Sequence, residues 1–326
     1  MAARGHDGRD GAATGPRGGE VGAGGSVNLA TLGYTAGWRL IRLLPEAWAR
    51  GLFEAGADHA ARRGGEGVRQ LRKNLRRVVP QAGDEELDEL VRESLRSYAR
   101  YWREAFRLPS MDHRAAFEKC DQLVSGTENL DAALREGRGA VVALPHSGNW
   151  DMAGVWLVGH SGTFTTVAER LKPESLYRRF VEFRETLGFE VLPLTGGDRP
   201  TATVLAERLR ANRVVCLLAD RDLTSSGVPV TFFGEQTLMP AGPAHLAATT
   251  GAALLPVGCW NTADNWQFRI HPRIKVSTVP AATQALADAF AADIAAHPTD
   301  WHMLQKLWLA DLPEGRRTAL ARRLAR

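Results

Sequence analysis

The chain has 326 residues, 44% hydrophobic and 24% charged, with a formal net charge of +4 at pH 7, which describes a mildly basic globular protein holding one large domain or a core with a smaller partner. Its three cysteines, Cys120, Cys216 and Cys259, lie far apart with no CxxC pair. This argues against a disulfide framework and a cysteine zinc site, and fits a reducing compartment. No run of 18 apolar residues occurs, so no transmembrane helix is expected.

Residues 1–26 are rich in Gly, Ala and Arg without an apolar stretch, and read as a disordered leader rather than a signal peptide. From Ser26 to about Leu108 the pattern is helical. Over 36–53, Trp38, Ile41, Leu44, Trp48, Leu52 and Phe53 share one face, with Arg39, Arg42 and Arg50 elsewhere and Pro45 as a break or kink. Tryptophans, leucines and arginines at this spacing suit a helix lying on a membrane surface, and a core-packing helix would show the same spacing. Residues 62–77 carry seven Arg/Lys against one acid, and the C-terminal RRTALARRLAR carries five arginines and no acid. Such faces suit anionic partners, though a solvated helix face has the same composition. Residues 84–107 form a second amphipathic helix, with Asp84 expected to cap it, acids in its first turn and arginines later.

From about residue 124 the texture alternates between strand and helix. GAVVAL, TFTTVAE, FEVLPL, RVVCLLAD, PVTFFG, ALLPVGCW and WQFRIHPRIKV read as strands. Helices are expected in 126–139, in 149–159, 173–188, 199–212 and 242–251, then in AATQALADAFAADIAAHP and a last one in TDWHMLQKLWL. This is an α/β protein with a central sheet covered by helices. The expected divisions are a leader (1–26), a helical membrane-docking part (27–123), an α/β core (124–312) and a basic tail (313–326).

Ligands of open α/β sheets collect at the carboxyl ends of strands. His146 directly follows the strand ending at Leu144, and Asp151 falls in the first turn of the next helix. A carboxylate on one imidazole nitrogen fixes the tautomer and leaves the other as a base. Asp220 ends the strand RVVCLLAD, with Arg221 and Asp222 beyond it. If the two strands are neighbours, Asp220 is the orienting partner of the base, with Asp151 beside it. A surface turn with a local Arg–Asp pair is the alternative. Glu169 and Arg184 are secondary candidates for a polar ligand, and His302 with Trp301 for closing the pocket. P-loop, GxSxG and HExxH motifs are absent, and no metal constellation stands out. A histidine base without a protein nucleophile points to direct transfer onto an acceptor hydroxyl.

HSGNWD at 146–151 resembles the HxxxxD motif of the bacterial lysophospholipid-type acyltransferases, in the branch containing the lipid A late acyltransferases. The resemblance covers roughly residues 27–310. AERLKPE, ADRDLTSSGV and FFGE–MPAGPA look particularly like the actinobacterial phosphatidylinositol mannoside acyltransferases. The resemblance implies a glycerol-phosphate-acyltransferase-like α/β core and a monotopic enzyme on the cytoplasmic face of the plasma membrane. The implied reaction moves a palmitoyl-like chain from acyl-CoA to the 6-hydroxyl of a mannose on phosphatidylinositol mono- or dimannoside, with no cofactor and no metal. The implied partners are acyl-CoA, mannosylated phosphatidylinositol and an anionic membrane surface, not nucleic acid. Carried over by position, His146 is the base, Asp151 belongs to the motif, and Asp220 takes the acidic place of a charge relay. Glu169, Arg184, Arg221 and His302 fall in the substrate pocket. A lipid A-type enzyme using acyl carrier protein, a thioesterase-like hydrolase and a non-catalytic basic peripheral-membrane protein are the competing readings.

Overall fold

Uninterrupted apolar runs such as AVVAL leave no polar face for water, so they fold as strands buried on both sides. The structure, a computed structural model, describes residues 40–170, 174–222 and 227–320, apart from 316 and 319. The expected leader, residues 27–39 with Trp38 and Arg39, residues 171–173 and 223–226, and the end of the basic tail lie outside the described residues.

After a helical turn at 40–43, the described residues form α1 (Glu46–Arg63), α2 (Glu66–Val78), α3 (Asp84–Arg107) and α4 (His113–Asp121). Strands and helices then alternate: β1 (Val124–Ser125), α5 (Thr127–Arg135), β2 (Ala140–Leu144), α6 (Trp150–Ser161), β3 (Thr165–Ala168), α7 (Glu174–Thr186) and β4 (Glu190–Pro193). Next come α8 (Thr201–Arg210), β5 (Val214–Leu218), β6 (Val228–Phe232), β7 (Glu235–Met239), α9 (Gly242–Thr250), β8 (Ala253–Asn261), β9 (Trp266–Ile270) and α10 (Val279–Ala296). Seven strands form one mixed sheet in the order β1-β9-β8-β2-β5-β3-β4, parallel except between β8 and β9. Alternate residues feed opposite faces. Val141, Ala143 and Val215 join the core under α2, α3, α8, α9 and α10, while Ala140, Val142 and Leu144 join the core under α4, α5, α6 and α7. The early helices therefore share their core with the sheet. No helix among the described residues is long and apolar enough to cross a membrane.

Three local expectations are corrected. Asp84 does not cap α3; Gly83 holds that position, and the Asp84 carboxylate instead pairs with Arg72 at 3.0 Å and Arg76 at 2.5 Å. The segment TDWHMLQKLWL is not a helix beyond a 3-10 turn at Pro298–Asp300; it runs extended, with Trp301 bridged to Ser147 and Trp308 to Thr237. Its two tryptophans explain this, because each buried indole N–H needs an acceptor, and the extended path brings them to Asp220 and to the Phe232 carbonyl. The 36–53 face divides. Residues 40–43 are helical, Pro45 interrupts, and α1 turns Ala49, Phe53 and Ala57 inward while Trp48 and Leu52 point out. The hairpin partner β7 is a further strand, beyond those expected. Phe233 and Gly234, at φ 49° and 77°, make the tight left-handed turn that joins β6 to β7.

From β2 the chain crosses toward β3, and after β5 it passes to β8 on the opposite side of β2. The crevice between β2 and β5 is thus a topological switch point, the place where such sheets bind ligands.

Candidate active site

β2 and β5 pair with Leu144 opposite Leu218, and each runs on two residues to a polar side chain, His146 and Asp220. Equal overhang on adjacent parallel strands makes the two meet. Asp220 Oδ1 accepts from the His146 ring at Nδ1, 2.5 Å away, and Oδ2 accepts from the His146 backbone N–H and the Trp301 indole, each at 3.0 Å. Burial of the fully enclosed Asp220 opposes its ionisation. The His146 charge, with the bonds from His146 and Trp301, outweighs that and holds its pKa below the ordinary carboxylate value. An ionised Asp220 is acceptor-only, so Nδ1 carries the proton and Nε2 keeps a lone pair. The ring is 27% exposed, open enough for a reactant to approach.

The loop after His146 is tightly specified. Gly148 has φ 57°, and a Cβ there would stand 2.9 Å from the Cys259 carbonyl and the Trp260 nitrogen. Gly148 N–H donates to the Asp300 carbonyl, and the His146 carbonyl accepts from His302 N–H at 2.8 Å. Asn149 caps α6 through its Oδ1, which accepts from Met152 N–H at 3.1 Å.

Asp151 does not sit on the imidazole, which differs from the expectation that it lies beside Asp220. Placed in the first turn of α6, its carboxylate faces α7, where Arg184 donates to both oxygens at 2.8 and 3.2 Å. Burial works against the Arg184 charge, but Asp151 overcomes it and keeps the guanidinium firmly protonated. Tyr101 O–H adds a bond to Asp151 Oδ2 at 3.1 Å and packs on Trp150, ring centroids 4.0 Å apart. Burial and the Asp151 charge push the Tyr101 pKa well up, so the phenol stays a donor. Asp151 and Arg184 together are a rigid strut between the motif helix and α7.

His302 is buried under the His146 loop. Ser97 O–H donates to Asp300 Oδ1 at 2.5 Å, so the bond between Ser97 Oγ and His302 Nε2, at 3.0 Å, has the ring as donor. Burial, then the nearby His146 charge, pull the His302 pKa down to about 3, so it is neutral across the physiological range. Glu169 and Arg221 lie apart from these groups. They line a cavity of about 610 Å³ with Leu238, Leu304, Leu307 and Lys306.

Sequence reasoning missed Ser97, Tyr101 and Glu104 on α3. Their only sequence signal was a polar spacing of four and three residues inside a helix already crowded with charges. It named Trp301 as closing the pocket without its bond to Asp220. None of the three cysteines is set up as a nucleophile: burial pushes the Cys120 and Cys216 thiols up to about 12, and Cys259 well up as well. Among the described residues no group of three His, Cys, Asp or Glu side chains is arranged to hold a metal.

The arrangement holds the His146 imidazole in one tautomer against a buried carboxylate. The family model of the bacterial lipid A biosynthesis acyltransferases matches residues 28–310. The phosphatidylinositol mannoside acyltransferase of Mycolicibacterium smegmatis is 63% identical over 304 residues, covering 93% of this chain and 98% of that protein. The phosphatidylinositol mannoside acyltransferase of Mycobacterium tuberculosis strain H37Rv is 60% identical over 292 residues, covering 89% of this chain and 92% of that one. With the family model spanning most of the chain and relatives 60–63% identical over nearly their full length, the chain belongs to the bacterial lipid A biosynthesis acyltransferase family, as an enzyme of its phosphatidylinositol mannoside acyltransferase group.

Proposed function

We propose that the enzyme moves a palmitoyl-like chain from acyl-CoA to the 6-hydroxyl of a mannose on phosphatidylinositol mono- or dimannoside, with His146 as general base. The observation that carries this reading is the 2.5 Å bond between His146 Nδ1 and Asp220, which leaves Nε2 unprotonated on a partly exposed ring. Nε2 takes the hydroxyl proton as the sugar oxygen attacks the thioester carbonyl carbon. The resulting imidazolium is stabilised by the Asp220 carboxylate. Collapse of the tetrahedral intermediate breaks the carbon–sulfur bond and expels the CoA thiolate, which takes the proton back from His146. Asp151 acts through Arg184, by holding α6 against α7, rather than on the proton. Glu169, Arg221 and the cavity they line receive substrate, and His302 stands as a neutral polar wall beneath the base.

The same reading places the enzyme on the cytoplasmic face of the plasma membrane as a peripheral protein, docked through its helical N-terminal part, 27–123, beside the α/β core of 124–312. Leu40, Leu43, Trp48 and Leu52 are 60%, 81%, 74% and 59% exposed on one short stretch, a cluster that supports insertion at a lipid surface. The test of the function is product analysis. Purified enzyme, palmitoyl-CoA and phosphatidylinositol dimannoside yield a lipid heavier by one palmitoyl group, with the ester at a mannose 6-hydroxyl by NMR. Free palmitate alone, or an ester at another position, would discard the assignment.

A further inference from the structure

Helix α3 presents Ser97, Tyr101 and Glu104 at spacings of four and three residues, which puts them on one helical face. Ser97 joins His302 to Asp300, Tyr101 donates to Asp151, and Glu104 takes Asn149. The last of these contacts controls a helix start. Asn149 must turn its oxygen toward Met152 N–H to cap α6, so its amide nitrogen faces the other way, and there it donates to Glu104 Oε2 at 2.7 Å. The same oxygen accepts from the Trp266 indole at 2.6 Å, while Oε1 accepts from Arg100 Nε at 2.7 Å. Arg100 in turn donates to the Thr262 and Asn265 carbonyls, at 2.6 and 3.0 Å, in the turn between β8 and β9.

A buried carboxylate is destabilising unless donors surround it. Around Glu104 the donors come from α3 itself, from the cap of α6 and from β9, so one side chain fixes three elements relative to each other. Asn149 stands three residues after His146 and two before Asp151. Where α6 begins therefore decides how the base loop and the Asp151–Arg184 strut align.

We propose that Glu104 is a positioning residue for acyl transfer, which through Asn149 sets the start of α6 and so holds the His146 loop and the Asp151–Arg184 pair in register. The proposal rests on the acyl-transfer reading above. Its test is a swap within the buried pair. Glu104→Gln turns a donor toward Arg100 or toward Asn149, and Asn149→Asp sets a second carboxylate against Glu104. In the combined Glu104→Gln/Asn149→Asp variant, the introduced amide donates to the introduced carboxylate, whose other oxygen still caps Met152 N–H. One negative charge is kept, and only the Trp266 indole loses its acceptor.

Two readouts are taken on the full-length protein: mannolipid-dependent CoA release, and hydrogen exchange at the Met152 amide. Each single variant is expected to lose roughly 100-fold in kcat, with KM for palmitoyl-CoA within about twofold and faster Met152 exchange. The combined variant is expected to regain about tenfold or more in kcat, with exchange slowed again. A Glu104→Gln enzyme within about threefold of wild-type kcat would overturn the proposal. So would a loss that tracks the fraction of unfolded protein and does not recover in the combined variant. Wild type without mannolipid-dependent CoA release would instead refute the acyl-transfer reading. In that case exchange alone decides: restored Met152 protection in the combined variant keeps the positioning role, and protection unchanged in all variants removes it.

Discussion

Asp220→Asn separates the roles of the relay most sharply. Asp220 accepts three hydrogen bonds, two at Oδ2 from the His146 backbone and the Trp301 indole, and one at Oδ1 from the His146 ring. An asparagine has one oxygen, and the two fixed donors at Oδ2 claim it. Its amide group then occupies the Oδ1 place and points a donor at Nδ1. The imidazole answers by moving its proton to Nε2, where a base is required, and the reaction loses both its proton acceptor and the counter-charge for the imidazolium. A wrong-tautomer substitution of this kind costs about 10,000-fold in kcat, or ~5.4 kcal/mol of transition-state stabilisation. The assay is mannolipid-dependent CoA release at saturating substrate, with melting temperature measured alongside. The variant also changes acid stability. Because the folded pKa of Asp220 is depressed, its ionised form stabilises the native state above the ordinary value of 3.8, and that contribution fades as pH falls through the folded value. Wild type therefore loses stability more steeply than the variant as pH falls from 3.8 toward the folded value. A well-folded Asp220→Asn enzyme with kcat within about tenfold of wild type would refute the tautomer argument.

Further outcomes follow from other contacts. Asp151→Asn or Arg184→Met leaves a buried charge without its partner, and calorimetry should register about 3–5 kcal/mol of lost stability; changing both residues together should cost less than the sum. His302, held down to about 3 from 6.5, binds a proton in the unfolded chain but not in the native one between those values, so stability rises with pH across that interval. Urea unfolding should show a slope of up to about 1.4 kcal/mol per pH unit there in wild type, flattened in His302→Gln. Trp48→Ser with Leu52→Ser removes apolar surface that is already exposed. Melting temperature should hold, while binding to anionic phospholipid vesicles falls by about tenfold or more, given ~1.5–3 kcal/mol per large side chain buried in an apolar medium. Equal vesicle binding would place the docking surface elsewhere.

The parts legible in the sequence share a physical cause. β2 and β5 are apolar runs that stop abruptly at a polar residue, so the chain announces both the buried strand and the group at its mouth, and His146 and Asp220 could be paired on the condition that their strands were neighbours. The Asp151–Arg184 bond was not legible, since it depends on how α7 packs against α6 across 33 residues of chain. The last helix expected at 299–309 did not form, because the indole acceptors and the His146 and Gly148 backbone favoured an extended path. Ser97, Tyr101 and Glu104 were hidden for a related reason. In a helix full of arginines and acids, periodicity shows that one side is buried but not which polar groups the rest of the fold will need there.

The central claim is that the imidazole of His146 is the base. The most direct test is CoA release from palmitoyl-CoA, with and without phosphatidylinositol dimannoside, by wild type and by His146→Ala of unchanged melting temperature. Mannolipid-dependent release by wild type and none above background by the variant is the expected result. Equal release from the two proteins would contradict it and reduce the HSGNWD segment to a structural turn between strand and helix.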